Sequence, residues 1–216
     1  GKVKEAIEKF SVIKTIKAID TATVVIMVLD AHESVTDQDA HLLGLCLQTG
    51  RSLVIAVNKW DGIDIDQREM IKKQLEVKLP FIDYADIHFI SALHGTGVGH
   101  LFKSVIDAYN SAMLKVSTSR MTRILLSALE AHQPPMRQGK RIKLRYAHQG
   151  GSNPFTVIIH GNQTEKIPMA YKKFLMNYFR QTLKLVGTQV LVIFKTGTNP
   201  FENKPRKKTT RHHRHG

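Results

Sequence analysis

Cysteine and long apolar runs are scarce in this sequence, and both shortages exclude classes of protein. Cys46 is the one cysteine among 216 residues, so no internal disulfide framework can form and a reducing, cytoplasmic compartment is expected. Flanked by Leu45 and Leu47, Cys46 is interpreted as a core residue rather than a catalytic thiol. No run approaches the roughly 20 apolar residues that a membrane-crossing helix needs. The first residues also lack the apolar stretch of a signal peptide, so no membrane partner is predicted.

Acidic residues are scarce in the second half of the chain. Residues 116–216 hold 3 Asp and Glu against 19 Lys and Arg, whereas residues 1–115 hold 15 against 13. The net charge of +14 therefore originates in the second half. Such asymmetry predicts a separate module that faces a polyanion, usually nucleic acid. A membrane-surface module is disfavoured, because this half has no amphipathic helix with a Trp- or Phe-rich apolar face.

The stretch Asn58-Lys59-Trp60-Asp61 follows the apolar run 53–57 and matches N-K-x-D, the element with which Ras-like GTPases recognise guanine. The Asp61 carboxylate has only acceptors, so it can take two parallel hydrogen bonds from guanine N1–H and N2–H₂, an edge that adenine lacks. Lys59 would lay its methylene stem over the base, and Asn58 would tie the loop to neighbouring backbone. The competing interpretation is that Asn58 and Asp61 merely cap a turn between a strand and a helix.

A second motif follows the next predicted strand. Residues 87–90 lead into Ser91-Ala92-Leu93, which is similar to the S-A-[KL] motif that closes the guanine pocket of Ras-like GTPases, where a backbone N–H at the Ala position donates to guanine O6. Two strand-end motifs in this order, separated by one amphipathic helix, are more specific than either alone. We therefore predict a binding site for GTP or GDP that reads the base through Asn58, Lys59, Asp61, Ser91 and Ala92.

The phosphate-binding motifs of the same GTPases are absent from the sequence. G-x-x-x-x-G-K-[ST] does not occur, so no phosphate-cradling loop, phosphate-binding lysine or Mg²⁺-binding hydroxyl is assigned. The D-x-x-G sensor of the γ-phosphate does not occur either. No catalytic residue and no metal ligand is predicted, and Mg²⁺ is expected only in a longer protein. This chain alone is not expected to hydrolyse GTP, because hydrolysis requires phosphate positioning and charge stabilisation.

Strands and helices alternate in residues 1–115, which predicts part of a Ras-like α/β domain with a parallel sheet. The predicted strands are 23–29, 53–57 and 87–90, and the predicted helices lie within 2–19 (one or two) and at 37–49, 65–79 and 98–113. Ligands bind at the carboxyl ends of such strands, where both guanine motifs lie. The first three strands of a Ras-like domain are missing. We therefore expect an exposed apolar edge on strand 23–29 and a longer protein of which this chain is the C-terminal part.

Residues 119–200 are predicted to form a small α+β unit of the KH kind, after a short polar linker at 114–120. The expected order is a helix from Met121 that stops before Pro134, strand 140–146, loop 150–154, strand 155–159, a helix with Pro168 in its first turn that ends at Gly187, and strand 190–194. The G-x-x-G loop by which typical KH modules clamp nucleic acid is absent, so no such grip is assigned. Tyr146, Phe155 and Tyr178 could stack on bases, but most of them are expected in the core.

Residues 201–216 are predicted to be a basic disordered tail, because they are rich in Lys and Arg and poor in apolar residues. Counterion release would give this tail sequence-blind, salt-dependent affinity for RNA. Its histidines, His212, His213 and His215, are interpreted as polar residues beside a polyanion rather than as metal ligands.

Taken together, these motifs resemble the Der (EngA) family of bacterial GTPases over nearly the whole chain. In the first half the resemblance is carried by Asp37-Gln38-Asp39, by 57–61, by 90–95, and by Lys2-Val3-Lys4-Glu5 with Glu8-Lys9-Phe10-Ser11. In the second half it is carried by Gln133-Pro134-Pro135, 143–147, His160-Gly161-Asn162 and Tyr178-Phe179-Arg180. The resemblance implies two tandem Ras-like domains followed by a KH-like domain packed against them. It also implies a monomer that couples GTP hydrolysis to maturation of the large ribosomal subunit and turns a basic surface to ribosomal RNA.

Two other interpretations remain open. The chain could be a non-catalytic RNA-binding module whose degenerate GTPase half is only a scaffold. It could also be an α/β protein that binds adenine nucleotides, which the Asp61 carboxylate disfavours.

Overall fold

The computed structural model describes residues 2–33, 35–80, 82–136 and 141–197. The predicted tail with its histidines lies outside the described residues. The helices and strands, in chain order, are α1 Lys2–Thr21, β1 Val24–Asp30, α2 Asp37–Thr49, β2 Ser52–Asn58, α3 Ile65–Lys78, β3 Asp86–Phe89, α4 Val98–Met113, α5 Thr118–Ala131, β4 Lys143–Ser152, β5 Phe155–Asn162, α6 Met169–Leu183 and β6 Val190–Thr196. The described part of the chain contains no helix that is both long and apolar enough to span a bilayer.

The first unit is a parallel sheet in the order β1-β2-β3 with helices packed on it, which confirms the predicted α/β fold. The central strand β2 has six successive buried residues, since helices cover both of its faces. Thr36 and Asp39 form a capping box that begins α2, and Gly50 ends the helix in the left-handed conformation. β1 pairs with β2 alone in the described sheet, and its Ile26 and Val28 side chains are exposed.

The second unit has the predicted order of helix, strand, strand, helix and strand. β5 lies between β4, which is antiparallel to it, and β6, which is parallel to it. α5 and α6 pack together on one face of this sheet. The core between helices and sheet is built on large side chains with no exposed surface, among them Met121, Leu125, Phe155, Leu175 and Phe179.

The predicted strand 140–146 has the wrong boundary at both ends. β4 begins at Lys143 and continues through Gly150 to Ser152, where a loop was expected, because Gly151 and Ser152 pair with Thr156 and Phe155 across a tight turn. Glycine at position 150 makes room for Ile158, since a Cβ at Gly150 would lie 2.6 Å from Ile158 Cδ1 and would displace that side chain.

The helix α6 also differs from its prediction at both ends. Pro168 is the extended N-cap residue rather than part of the first turn. The helix ends at Leu183, followed by Lys184 in the left-handed conformation, rather than at Gly187. Gly187 has a different role: its carbonyl accepts from Leu53 N–H at 2.7 Å, and its own N–H donates to the Tyr84 carbonyl at 2.9 Å. The loop between α6 and β6 therefore joins the amino end of β2 in the first unit.

The contact between the two units is buried and polar at this point. The Thr188 hydroxyl donates to the Ala108 carbonyl at 3.2 Å and lies 2.7 Å from the Ser52 hydroxyl, and neither Ser52 nor Thr188 is exposed. Nearby, Arg180 and Asp83 form an ion pair at 3.0 Å. Buried hydroxyls that satisfy each other fix one relative position of the two units, because a shift would leave them without partners.

Candidate nucleotide-base site

Both predicted guanine motifs lie at one edge of the first sheet, just beyond the carboxyl ends of β2 and β3. The backbone brings them together: Ile90 N–H donates to the Val57 carbonyl at 2.9 Å, and Trp60 N–H donates to the Ile90 carbonyl at 3.1 Å. Since adjacent parallel strands end side by side, the loops that follow them share one rim.

Asn58 joins three loops at this rim. Its backbone carbonyl accepts from Ala31 N–H at 2.9 Å, and its side-chain Oδ1 accepts from Ala92 N–H at 2.9 Å. The expected tie between this residue and neighbouring backbone is therefore present. The Ala92 N–H, which the motif predicts as the donor to guanine O6, is engaged by Asn58 here, so donation to a base requires the Asn58 amide to turn or to share the N–H.

Lys59 follows in the left-handed conformation, with φ at 64°, and pairs with the carboxylate at the end of β1. Its Nζ lies 2.5 Å from Asp30 Oδ2, and 60% of its side chain is exposed. The Lys59 hydrogen bond is the largest cause that lowers the pKa of Asp30, and the same bond raises the pKa of Lys59. The lysine is thus an exposed cation that is paired with the end of β1.

Asp61 stands in the short turn Trp60–Gly62 with 41% of its side chain exposed. The pKa of its carboxyl is lowered, mainly by a hydrogen bond from the Ser91 side chain and to a smaller extent by His94, whose Nε2 is 3.2 Å from Asp61 Oδ2. Asp61 is consequently an ionised, acceptor-only group at neutral pH, which is the state that reading two N–H donors requires. His94 was not predicted as a site residue from the sequence. The available signal was its position three residues after Ser91, in the same loop.

A cavity of about 360 Å³ opens at this rim, a size within the range of small-ligand sites. It is lined by His32, Asn58, Lys59, Asp61, Gly62, Ser91 and Leu93. Four of the five predicted residues thus line one cavity, and Ala92 is attached to it through Asn58. His32 was not anticipated, because it belongs to the loop after β1.

Side chains pack against Trp60 in the turn that carries Asp61. The Trp60 and Phe89 rings lie 4.3 Å apart between centroids. The Arg68 guanidinium lies 5.4 Å from the Trp60 ring centroid and donates to the Trp60 carbonyl at 3.2 Å. These contacts fix the turn between the end of β2 and the start of α3, so the Asp61 carboxylate is positioned by packed side chains.

One cluster outside the cavity combines a serine, a histidine and an aspartate. Ser104, His88 and Asp86 meet between α4 and β3, but the Ser104 hydroxyl donates to Asp86 at 2.8 Å, so the His88 ring at 2.9 Å is left to donate to that hydroxyl. A hydrolase requires the opposite direction, with histidine accepting the serine proton. Among the described ranges, no three His, Cys, Asp or Glu residues are grouped as a metal site.

Comparison with known proteins gives two family models that match successive parts of the chain. The Elongation factor Tu GTP binding domain matches residues 8–111. The KH-domain-like unit of EngA bacterial GTPase enzymes, C-terminal, matches residues 115–195.

Curated relatives extend over nearly all of the chain. GTPase Der of Thioalkalivibrio sulfidiphilus is 61% identical over 204 residues, which are 94% of this chain and 44% of that protein. GTPase Der of Vibrio vulnificus is 57% identical over 209 residues, which are 97% of this chain and 42% of that protein. The chain therefore spans less than half the length of these relatives.

Solved structures show weaker similarity. The bacterial selenocysteine-specific elongation factor EF-Sec is 24% identical, with a TM-score of 0.39, and covers 42% of this chain and 16% of its own. Era in complex with MgGDPNP and nucleotides of 16S ribosomal RNA is 14% identical, with a TM-score of 0.37. The match covers 84% of this chain and 68% of the Era chain.

Proposed function

Because the chain belongs to the GTPase Der (EngA) family, we propose that its first unit binds the base of GTP or GDP and that its second unit faces ribosomal RNA during assembly of the large subunit. The observation that carries the first part is the Asp61 carboxylate, kept ionised beside Ser91 at the mouth of a cavity. Ser91 and Asp61 line the same cavity, and the ionised carboxylate has acceptor lone pairs for the guanine N1–H and N2–H₂.

Lys59 and Ala92 are proposed to make the other contacts with the base. Lys59 covers one face with its stem once its ammonium is engaged by Asp30. Ala92 N–H serves guanine O6 when the Asn58 side chain releases it. Adenine presents a different edge, with an unprotonated N1 and no N2 amino group, and would place a lone pair against the Asp61 carboxylate.

Phosphate and metal contacts are not assigned to this chain. The residues that would hold Mg²⁺ belong to a G-x-x-x-x-G-K-[ST] loop, which the sequence does not contain. GTP hydrolysis, Mg²⁺ and the action on ribosomes are thus proposed for the longer protein that this family comprises. In this chain the affinity for nucleotide is proposed to come from the base.

A competition titration tests the base-reading proposal. Fluorescently labelled GDP is titrated with the chain and displaced separately by GDP, guanosine and ADP. We expect GDP and guanosine to compete about equally and ADP to fail, because the contacts in this chain are to guanine. Equal competition by ADP would contradict the proposal and favour an adenine-nucleotide protein. Absence of any binding would favour an RNA-binding module with a scaffold GTPase half.

The proposed RNA contact predicts an effect of removing residues 202–216. This deletion removes six Lys and Arg residues, namely Lys204, Arg206, Lys207, Lys208, Arg211 and Arg214. RNA affinity should fall and its dependence on salt should flatten, since each lost phosphate contact reduces the slope of log K against log [salt] by about 0.7 to 0.9. Filter binding over a series of salt concentrations measures the slope, and an unchanged slope would show that the tail does not contact RNA.

A further inference from the structure

The sheet of the second unit has one face on its helices and one outer face, and the outer face is unusual. We define the outer face by six residues that alternate with buried ones and pair across the strands: Tyr146, His148, Ile158, His160, Ile193 and Lys195. Their neighbours Ala147, Ile159 and Val192 are buried against α5 and α6. A solvated sheet face is normally polar, whereas Tyr146 and Ile193 are 43% and 48% exposed here.

Three rings on the outer face form a continuous stack across β4 and β5. The Tyr146 and His160 rings are nearly parallel, at 7°, with centroids 4.4 Å apart. The His148 ring follows at 5.3 Å and 30° from His160. The Nε2 atoms of the two histidines lie 3.2 Å apart, which is a hydrogen-bond distance. The rings are therefore fixed by each other before any ligand arrives.

Hydrogen bonds tie both imidazoles to the sheet and to each other. His148 Nδ1 lies 3.1 Å from the Gln149 carbonyl, an acceptor, so this nitrogen donates to it, and the Nε2 atoms of His148 and His160 share a further hydrogen bond. Burial, followed by the nearby His148 and Lys195, lowers the pKa of His160. A lowered pKa disfavours positive charge on His160, the central ring of the stack.

The strands of this sheet carry charged residues of one sign. Strands β4, β5 and β6 contain Lys143, Arg145 and Lys195, all exposed, and no Asp or Glu. Positive charge beside exposed flat rings is the combination with which single-stranded nucleic acid is bound, since bases stack and phosphates pair with cations.

The first unit contacts one end of this sheet. A Cβ at Gly50, at the end of α2, would lie 2.6 Å from Pro154 and 3.1 Å from Leu191, so the sheet end with Pro154 and Leu191 is in contact with the first unit. His160 and Lys195 pair near the other end of β5 and β6. The ring stack thus lies on the half of the face away from this contact.

We propose that the outer face is a stacking platform for unpaired bases of single-stranded RNA, in which a base lies on the Tyr146 ring and Lys195 holds a phosphate. This inference rests on the proposed RNA-facing role of the second unit and adds the grip that the missing G-x-x-G loop leaves unassigned. Apolar contact with Ile193 and Ile158 extends the platform beside the rings.

Fluorescence anisotropy with the full chain tests the platform. One labelled probe is a single-stranded oligoadenylate of about 12 nucleotides, which is longer than the roughly 4 nucleotides that a KH module clamps. The other probe is an RNA duplex of equal length. Tyr146→Ala should weaken single-strand binding about 5- to 150-fold, the usual effect of losing one base stack, with a smaller effect on the duplex. Tyr146→Phe should retain affinity because the ring remains. Tyr109→Ala is the matched control, since Tyr109 on α4 is 47% exposed and lies on the first unit.

Folding effects are separated by Tyr146→Leu, which keeps apolar packing on the sheet and removes the ring. Weaker single-strand binding with an unchanged melting temperature supports the platform. Wild-type affinity in Tyr146→Leu and Tyr146→Ala overturns it and leaves the RNA-facing proposal intact. Failure of the unaltered chain to bind any RNA overturns both. Equal losses for single strand and duplex also overturn it, because a duplex has no unpaired base to stack.

Discussion

Replacing Asp61 by Asn should weaken guanosine binding about 10- to 100-fold, the largest effect that we expect from a single substitution in the site. The carboxylate accepts two hydrogen bonds from guanine, whereas an amide offers one acceptor and one donor. The amide of the Asp61→Asn variant would then point a donor at the guanine N2–H₂ donor. Competition against labelled GDP measures the loss.

The Asp61→Asn substitution should also change the preferred base from guanine to xanthine. Such a reversal distinguishes a changed base contact from a general loss of structure. Xanthine carries an oxygen where guanine carries the 2-amino group, so the amide of the Asp61→Asn variant can donate to it while accepting from N1–H. Xanthosine should therefore bind the variant more tightly than the unaltered chain. The matched control is Asp66→Asn, on the exposed first turn of α3, which should change neither affinity. If the Asp61→Asn variant still prefers guanosine to xanthosine, Asp61 does not contact the base.

Replacing Gly187 by Ala should lower the free energy of unfolding by about 2–4 kcal/mol, because two costs combine. Gly187 has φ at 61°, which a side chain disfavours, and an added Cβ would lie 2.7 Å from Ala108 Cβ and 3.1 Å from the Leu53 carbonyl. The clash would separate the loop after α6 from β2 and weaken the hydrogen bonds that join the units. Urea unfolding followed by circular dichroism measures the change.

Gly95→Ala is the matched control for this prediction. Gly95 has φ at 72°, but a Cβ there would meet no atom within 4 Å. The control should therefore cost only the backbone strain, about 1 kcal/mol. If the two variants lose the same stability, the contact at Gly187 is unimportant and the two units are held elsewhere.

The elements that the sequence predicted well are those in which local pattern and tertiary environment agree. β-branched runs became β1 and β2 because helices bury both faces of a parallel sheet. The motif from Asn58 to Asp61 could be placed at a strand end because its position depends only on where that strand stops. The prediction for α2 was also correct, since Thr36 and Gly50 are local start and stop signals.

The parts that the sequence did not predict depend on contacts between distant residues. Gly150 and Gly151 indicated a loop, yet they continue β4, because Gly151 and Ser152 pair with Thr156 and Phe155. Gly187 indicated a helix end. In the structure its left-handed backbone lets the loop after α6 approach Ala108 closely and hydrogen-bond to Leu53 N–H.

Two side-chain positions were also beyond the sequence. Tyr146 was grouped with Phe155 as a core candidate, and a register shift between Leu144 and Tyr146 turns its ring to the outer face. Likewise, a tie from Asn58 to neighbouring backbone was expected, but the identity of its donor, Ala92 N–H, depends on two loops that meet, which no local pattern specifies.

The most direct test of base reading is an NMR titration of the ¹⁵N-labelled chain with guanosine and, separately, with adenosine. We predict that guanosine shifts the amide signals of Lys59, Asp61 and Ala92, because these groups surround the proposed base, and that Ala92 shifts most as its N–H leaves the Asn58 side chain. Adenosine should leave these signals unchanged. Shifts confined to other parts of the chain, or the same shifts with adenosine, would contradict guanine recognition at this site.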